Sequence, residues 1–473
     1  MVEKNKLFYI ISNKIEPFLF WLFLSFAFCG KTGLLSIFGR TFHISFWISL
    51  VSVPLFLLIL LHNKNRTELF RLLTLSLVII IPLTISSFGN VIIFNQKYDG
   101  FLNENILLIW LENLLKYLYD FLIIIYLIIH FQNEKIDKYF KPIYIFFVIW
   151  VIVGFGQMLL IILQNNLLWS IYEKLDFLNI LAHRDILSLA GLRFYSFLSE
   201  PSENAKIICL FFLPFFLVKT LKKDSSLKSK IFNASCLLLT IICSFLTKSS
   251  TVYVGVLVCL IVFFIFFIIK SDHSKKTIII LSSIVAFVAI VLIAIPYTRT
   301  NIISILINKV FGTSSFSTRY RYSSVYNDII IFLKFPLFGI GDGMQGVFYL
   351  ENVGGTWMSY SFEAQQSLIG ENGIIEGGAI IPSFISAFGI FGIVVILVFL
   401  KIIKRNYSFS LFKSNEFLLY FIPAFISFAV VMTVGADFHR NYPLFIFLAI
   451  PFFGEVSKKE MFGFKRNYCE IAL

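Results

Sequence analysis

The chain has 473 residues, 58% of them hydrophobic and 18% aromatic, and only 14% charged. No soluble fold of this length has interior enough for that much apolar surface, so the composition excludes a water-soluble enzyme and indicates a polytopic membrane protein. The formal net charge of +13 sits in short connections between apolar runs, where it reads as a topology signal and not as a nucleic-acid footprint.

The N-terminus, MVEKNKLFYIISNK, is basic but has no small-residue cleavage site after its first apolar run, which suits a retained first span. Runs near the length needed to cross roughly 30 Å of hydrocarbon fall at 16–29, 44–62, 72–94, 105–131, 143–164, 204–220, 231–246, 252–270, 277–296, 380–400, 417–434 and 441–454. They predict an all-α fold of about 12 transmembrane helices in one integral membrane domain over 1–473. Alternate connections are basic: Lys64, Arg66 and Arg71; Lys135, Lys138 and Lys141; Lys222, Lys223, Lys228 and Lys230; Lys270, Lys275 and Lys276; Lys401, Lys404, Arg405 and Lys413. The intervening short loops, GKTGLLSIFGRTFH among them, are poor in Lys and Arg, so the positive-inside rule predicts that both termini are cytoplasmic.

Two outside connections are long, 165–203 and 297–379. The first ends in RFYSFLSEPSENA, directly before the apolar run IICLFFLPFFLV. Pro201 suits a first helical turn and Glu203 the place of a capping glutamate, and Ser202 and Asn204 fit the same helix start. Arg193 does not, because a cation just before a helix N-terminus opposes the macrodipole unless an anion lies between them. Glu200 is its potential partner or a catalytic carboxylate; the plainer reading of Arg193 is snorkelling to headgroups.

The second connection holds STRYRYSSVYNDIIIFLKFPLFGIG. It predicts a helix with Ser317 or Thr318 as N-cap, closed by Pro336, with Tyr322, Val325, Tyr326, Ile329, Ile330 and Leu333 as a buried stripe. Arg319 and Arg321 fall in its first turn, again at the end the dipole disfavours. With Tyr320 and Tyr322 beside them they suit a phosphate or diphosphate, which guanidinium holds bidentately. The glycines of FGIGDGM, NVGGTW and GENGIIEGG supply turns.

Other charges are weaker signals. Asp342, Glu363, Glu371 and Glu376 are carboxylates of the long connection, each either a proton acceptor or part of a solvated face. Glu112, Lys116 and Asp120 share nearly one face of the fourth span, as a functional or a self-neutralised ladder. Asp437, His439 and Arg440 in the last outside loop are cavity candidates, and His183, Arg184 and Asp185 adjoin in the first. The six cysteines (Cys29, Cys209, Cys236, Cys243, Cys259, Cys469) form no C-x-x-C pair and read as free thiols. No metal-ligand spacing or nucleotide-binding glycine loop is evident, so neither a metal nor another cofactor is expected.

Taken together, LRFYSFLSEPSENA, STRYRYSSVYNDIIIFLKFPLFGIGDGM and the exit PSFISAFGIFGIVV resemble the bacterial O-antigen polymerase and ligase superfamily, over roughly the second half of the chain. The resemblance implies a fold like that of the GT-C membrane glycosyltransferases. It also implies an undecaprenyl-diphosphate-linked glycan as substrate, used at the outer face of the bacterial plasma (inner) membrane without nucleotide sugar or metal. Arg193 and Arg319 or Arg321 would hold the diphosphate, Glu200 or Glu376 would activate the acceptor hydroxyl, and a chain-length regulator protein is a possible partner. Ligases of the superfamily typically carry a histidine near the end of the long loop, and residues 297–379 contain none. That favours a polymerase of O-antigen or capsular polysaccharide. The alternatives are a ligase acting on lipid A-core and a lipid-linked oligosaccharide flippase, the latter disfavoured by the missing internal repeat and the one dominant loop.

Overall fold

The computed structural model of the protein describes residues 14–27, 31–37, 40–62, parts of 74–93, 106–133, 136–175, 192–197, 201–222, 225–270, 316–342, 344–354, 379–406, 410–432 and 441–452. Among them, seven helices are long and apolar enough to cross a membrane, and shorter apolar helices accompany them. In chain order the helices that frame the site are α1 (Glu16–Phe26), α2 (Ile44–His62), α3 (Ile106–Asn133), α4 (Ile136–Leu163), α5 (Asn166–Leu175), α6 (Asn204–Leu221), α7 (Leu227–Leu246), α8 (Ser250–Lys270), α9 (Phe316–Lys334), α10 (Tyr349–Val353), α11 (Ile380–Asn406), α12 (Asn415–Met432) and α13 (Tyr442–Ala449). Every described residue within the expected span 72–94 is helical, and the expected span 277–296 lies outside the described residues.

One element departs from an all-helical reading. The loop GKTGLLSIFGRTFH folds into a hairpin, β1 (Lys31–Ile37) antiparallel to β2 (Arg40–His43), with Lys31 opposite His43 and Ile37 opposite Arg40. Its Leu, Ile, Thr and Phe residues favour extended backbone, and a hairpin needs only a short connection at its tip.

The run IICLFFLPFFLV, which in sequence looks bound for lipid, lies instead at the protein's centre. The span it forms, α6, is 78% buried, against 33% for α4 or α8. Pro214 has no N–H to give the carbonyl of Leu210, four residues back, and the helix widens to π geometry over Ile208–Phe212. The Tyr420 hydroxyl of α12 donates to that Leu210 oxygen at 2.9 Å, restoring the bond that the proline removes. In a membrane interior such repair is obligatory, because no water is there to do it.

The buried Glu16 of α1 accepts from Tyr126 Oη at 3.0 Å and contacts His130 Nε2 at 2.7 Å. The Phe20 ring stacks on that imidazole with centroids 4.2 Å apart. The expected ladder on α3 is an ion pair between Glu112 and Lys116 at 3.1 Å, with Asp120 buried two turns beyond Glu112.

The expected packing of α9 is inverted. Tyr322 and Tyr326 are each 39% exposed and Leu333 is 66% exposed; Ile329 also faces outward, while Val325 and Ile330 are half-buried. The buried face is polar: Ser323, Ser324, Asn327 and Asp328, with Ile331 completing it. The stripe suits an amphipathic helix lying on the membrane, but this helix packs beside α11, whose own outer face shows Ile390, Ile393 and Leu397. Where the surroundings are apolar, polar side chains find hydrogen bonds only inward. The helix also begins at Phe316, so Ser317 and Thr318 lie within its first turn and neither is its N-cap.

Candidate active site

Two irregular segments carry the chemistry singled out in the sequence. The first is the strap Leu192–Phe197. Phe194 N donates to Leu246 O at the end of α7 (3.0 Å), and the Phe194 ring lies against Trp150 of α4, centroids 4.6 Å apart. It also covers Gly154, where a Cβ would come within 2.1 Å of the ring. Ser196, at φ +59, is gripped by α4: its N–H donates to Gln157 Oε1 (2.8 Å), its carbonyl accepts from Gln157 Nε2 (2.9 Å), and its hydroxyl donates to Trp150 O (2.9 Å).

Asn204 closes this lock. Fully buried, it accepts from Trp150 Nε1 at 3.0 Å and donates to the carbonyls of Phe194 and Tyr195 at 3.3 and 3.2 Å. The expected capping roles therefore need correction. Asn204 ties α6 to α4 and the strap, and Glu203 makes no side-chain cap bond, its Oε1 lying 3.7 Å from Lys206 Nζ. Pro201–Glu203 is a 3-10 turn leading into α6.

Arg193 projects from this rigid strap toward the first turn of α8, close enough to Tyr253 to act on it electrostatically. Its Nε is buried and has no hydrogen-bond partner among the described residues. The turn before α8 carries Lys248, and the N-terminus of α8 adds positive potential.

The second segment is the crossing Pro336–Gly341, which meets a break in α11. Gly389 is non-helical (φ 61, ψ −158), which frees backbone groups on both sides of it. The crossing satisfies them in order: Ile390 N donates to Pro336 O and Phe391 N to Leu337 O, while Ile340 N donates to Ser386 O and Gly341 N to Ala387 O, all at 2.8–3.0 Å. Asn90 donates to the Gly339 carbonyl from outside. Two glycines make the approach possible. At Gly339 (φ +65) a Cβ would lie 2.3 Å from the Ala387 carbonyl, and at Gly389 it would lie 2.5 Å from Leu337 O. This is the physical content of PLFGIG in the sequence.

Beneath the crossing, the fully buried Asp328 of α9 accepts from Ser383 Oγ at 3.0 Å and from Ser386 Oγ at 3.1 Å, both on α11. Burial pushes its carboxyl up to about 7; the two hydroxyls pull it back and Asp342 adds to the rise. Around it, Asn327 donates to Gln345 O (2.8 Å), Asn352 to Asn327 Oδ1 (2.9 Å) and Tyr349 to Ser323 Oγ. The segment 344–353 is thereby bolted to the inner face of α9.

Of the residues chosen from sequence, Arg193 is placed in the strap, Asp342 is half-buried beside the Asp328 cluster, and Tyr322 is on the outward face of α9. Arg319, Tyr320 and Arg321 fall in the first turns of α9, with side chains outside the described residues. Glu200, Glu363, Glu371, Glu376, Asp437, His439, Arg440 and the His183 group lie outside the described residues altogether. The strap packs into the main hydrophobic core and the α9 unit onto a smaller one. The sequence reading passed over Asp328, Ser383 and Ser386, although a polar row at 323, 324, 327 and 328 and serines three apart in SFIS are helical-period signals. Among the described residues no group of His, Cys, Asp and Glu gathers where a metal ion could be held.

Residues 235–375, from within α7 to just before α11, match the family model described as O-antigen ligase. That stretch carries the domain of the O-antigen polymerase and ligase superfamily. The match includes Arg319, Arg321, Asp328 and the crossing, and it implies a membrane glycosyltransferase of the polymerase or ligase kind. No curated protein and no solved structure gives a significant match.

Proposed function

We propose that the protein polymerises undecaprenyl-diphosphate-linked oligosaccharide repeats into O-antigen or capsular polysaccharide at the outer face of the bacterial plasma membrane. The observation that carries this reading is Arg193: a guanidinium with a buried, unpartnered Nε, fixed on a rigid strap beside the N-terminus of α8. Such a group invites an anion, and the diphosphate of a lipid-linked glycan is the anion that the family match suggests. The second arginine of the clamp is assigned by helical register. Position 321 stands seven residues before Asp328, two turns away on the inward polar face, whereas position 319 stands seven before the exposed Tyr326.

The hydroxyl at the non-reducing end of one repeat attacks C1 of the reducing sugar of another, and undecaprenyl diphosphate leaves. Arg193 and Arg321 stabilise the charge that grows on the departing diphosphate, a term that commonly dominates such catalysis. The ligase reading rests on the description of the matching family; the absence of histidine from residues 297–379 favours the polymerase.

The test is replacement of Arg193 or Arg321 by Ala in a strain whose surface glycan is displayed on a gel. Collapse of the ladder to a single capped repeat is the polymerase result, loss of that repeat as well is the ligase or export result, and an unchanged ladder contradicts the clamp.

A further inference from the structure

A buried carboxylate that serves only stability is normally paired with a cation, and an apolar residue of the same volume does the job at less cost. Asp328 has neither excuse. Among the described residues its only hydrogen-bond partners are the hydroxyls of Ser383 and Ser386, and the only other charge acting on it is Asp342, of its own sign. Lys334, further along α9, is engaged with Glu351 at 2.8 Å; α11 presents neutral Ser side chains to Asp328, and on the segment 345–349 Gln345 bonds Ser386 and Tyr349 bonds Ser323.

The surrounding atoms accommodate both protonation states. Ser386 Oγ lies 3.1 Å from Asp328 Oδ1 and 2.9 Å from the Ser383 carbonyl, but has one hydrogen to give. With Asp328 ionised, that hydrogen goes to the carboxylate and Gln345 Nε2 covers the Ser383 carbonyl at 3.3 Å. With Asp328 neutral, the acid donates to Ser386 Oγ, which turns its hydrogen to the Ser383 carbonyl. Ser383 donates to Oδ2 when the carboxyl is ionised and again once its proton sits on Oδ1. Asp328 and Ser386 are buried, whereas Ser383 is only half-buried, in the first turn of α11 where the chain leaves the long connection.

We propose that Ser383 and Asp328 form the proton-accepting pair of the glycosyl transfer. This rests on the polymerase reading and offers a base other than Glu200 or Glu376. As the acceptor oxygen bonds to C1 and the C1–O bond to the diphosphate breaks, the electron pair leaves with undecaprenyl diphosphate. The acceptor proton passes to Ser383 Oγ while the proton of Ser383 passes to Asp328 Oδ2. Ser383 ends unchanged, Asp328 ends neutral, and the proton then returns to solvent. Asp328 acts through Ser383 and does not itself touch the sugar.

The experiment uses the full chain in proteoliposomes with a purified undecaprenyl-diphosphate-linked repeat as sole substrate, following undecaprenyl diphosphate release from acid to mildly alkaline pH. The expected wild-type rate rises with a midpoint near neutrality. Asp328→Asn, which keeps shape, is expected to lose that limb and about a hundredfold in rate, and Ser383→Ala to lose a comparable amount with KM little changed. Should the Asn variant fold poorly, Ser383→Ala decides alone. Release by wild type with unaltered rate and pH limb in the variants overturns the proton pair and leaves the polymerase reading standing. No release by wild type overturns both.

Discussion

In the Arg193 strap, irregular backbone is held against membrane helices by side chains: Gln157, Asn204 and the Ser196 hydroxyl supply the partners. In the Pro336–Gly341 crossing the same task falls mainly to backbone, the broken turn of α11 exchanging bonds with a turn of facing chain while Asn90 adds a side-chain bond. Both obey the requirement that backbone polar groups be satisfied where water is absent, but they fail differently. The strap depends on what its neighbours carry, and the crossing on what Gly339 and Gly389 lack.

The largest effects are expected at the crossing. Gly339→Val or Gly389→Val places atoms inside van der Waals distance of facing backbone at a positive φ. Each is expected to cost more than about 4 kcal/mol and to leave no folded protein in detergent extracts assayed by size-exclusion chromatography. Gly156→Ala, with nothing within 4 Å of the added atom, is the matched control and is expected to behave as wild type. Strap variants come next. Asn204→Ala strips partners from Trp150 Nε1 and two carbonyls, a loss of roughly 2–4 kcal/mol readable as a lower melting temperature. Gln157→Ala should add to it less than additively, because the two residues brace one segment.

Asp328→Asn tests the α9 unit through pH. The folded carboxyl sits at about 7, above its ordinary 3.8. The native state therefore holds this proton more tightly, and the stability so gained is present at acid pH and lost as pH rises from about 4 through about 7. The difference corresponds to on the order of 4 kcal/mol. A melting series across that window is expected to fall in wild type and to be flatter in the Asn variant; parallel curves would remove Asp328 as the titrating group. The smallest effect belongs to the outward stripe of α9. Leu333→Ala is expected to change stability by under about 0.5 kcal/mol, whereas Ile331→Ala, on the buried face, should cost about 2–4.

Much of the architecture was legible because hydrocarbon thickness imposes run lengths, and the runs at 44–62, 105–131, 143–164, 204–220 and 380–400 all became helices close to those bounds. The helix before Pro336 and the glycine turn after it were legible for local reasons, φ and the missing N–H. What periodicity did not disclose was direction. An amphipathic pattern at 316–334 says that α9 has two unlike faces, but which one turns inward depends on whether water or lipid lies outside. The Asp328 cluster was missed for the same reason, since a polar row opposite an apolar stripe looks like the outward face of a helix. Asn204 was misassigned because a helix start and a tertiary bolt call for the same side chain.

The central claim is that a lipid-linked repeat is both donor and acceptor, its diphosphate held by Arg193 and Arg321. The most direct measurement supplies reconstituted protein with the purified undecaprenyl-diphosphate-linked repeat and no lipid A-core. The account predicts a ladder of longer lipid-linked glycans with matching undecaprenyl diphosphate release, abolished in Arg193→Ala and Arg321→Ala but retained in Arg319→Ala. Product that forms only when lipid A-core is added, or a ladder indifferent to Arg193 and Arg321, would contradict it.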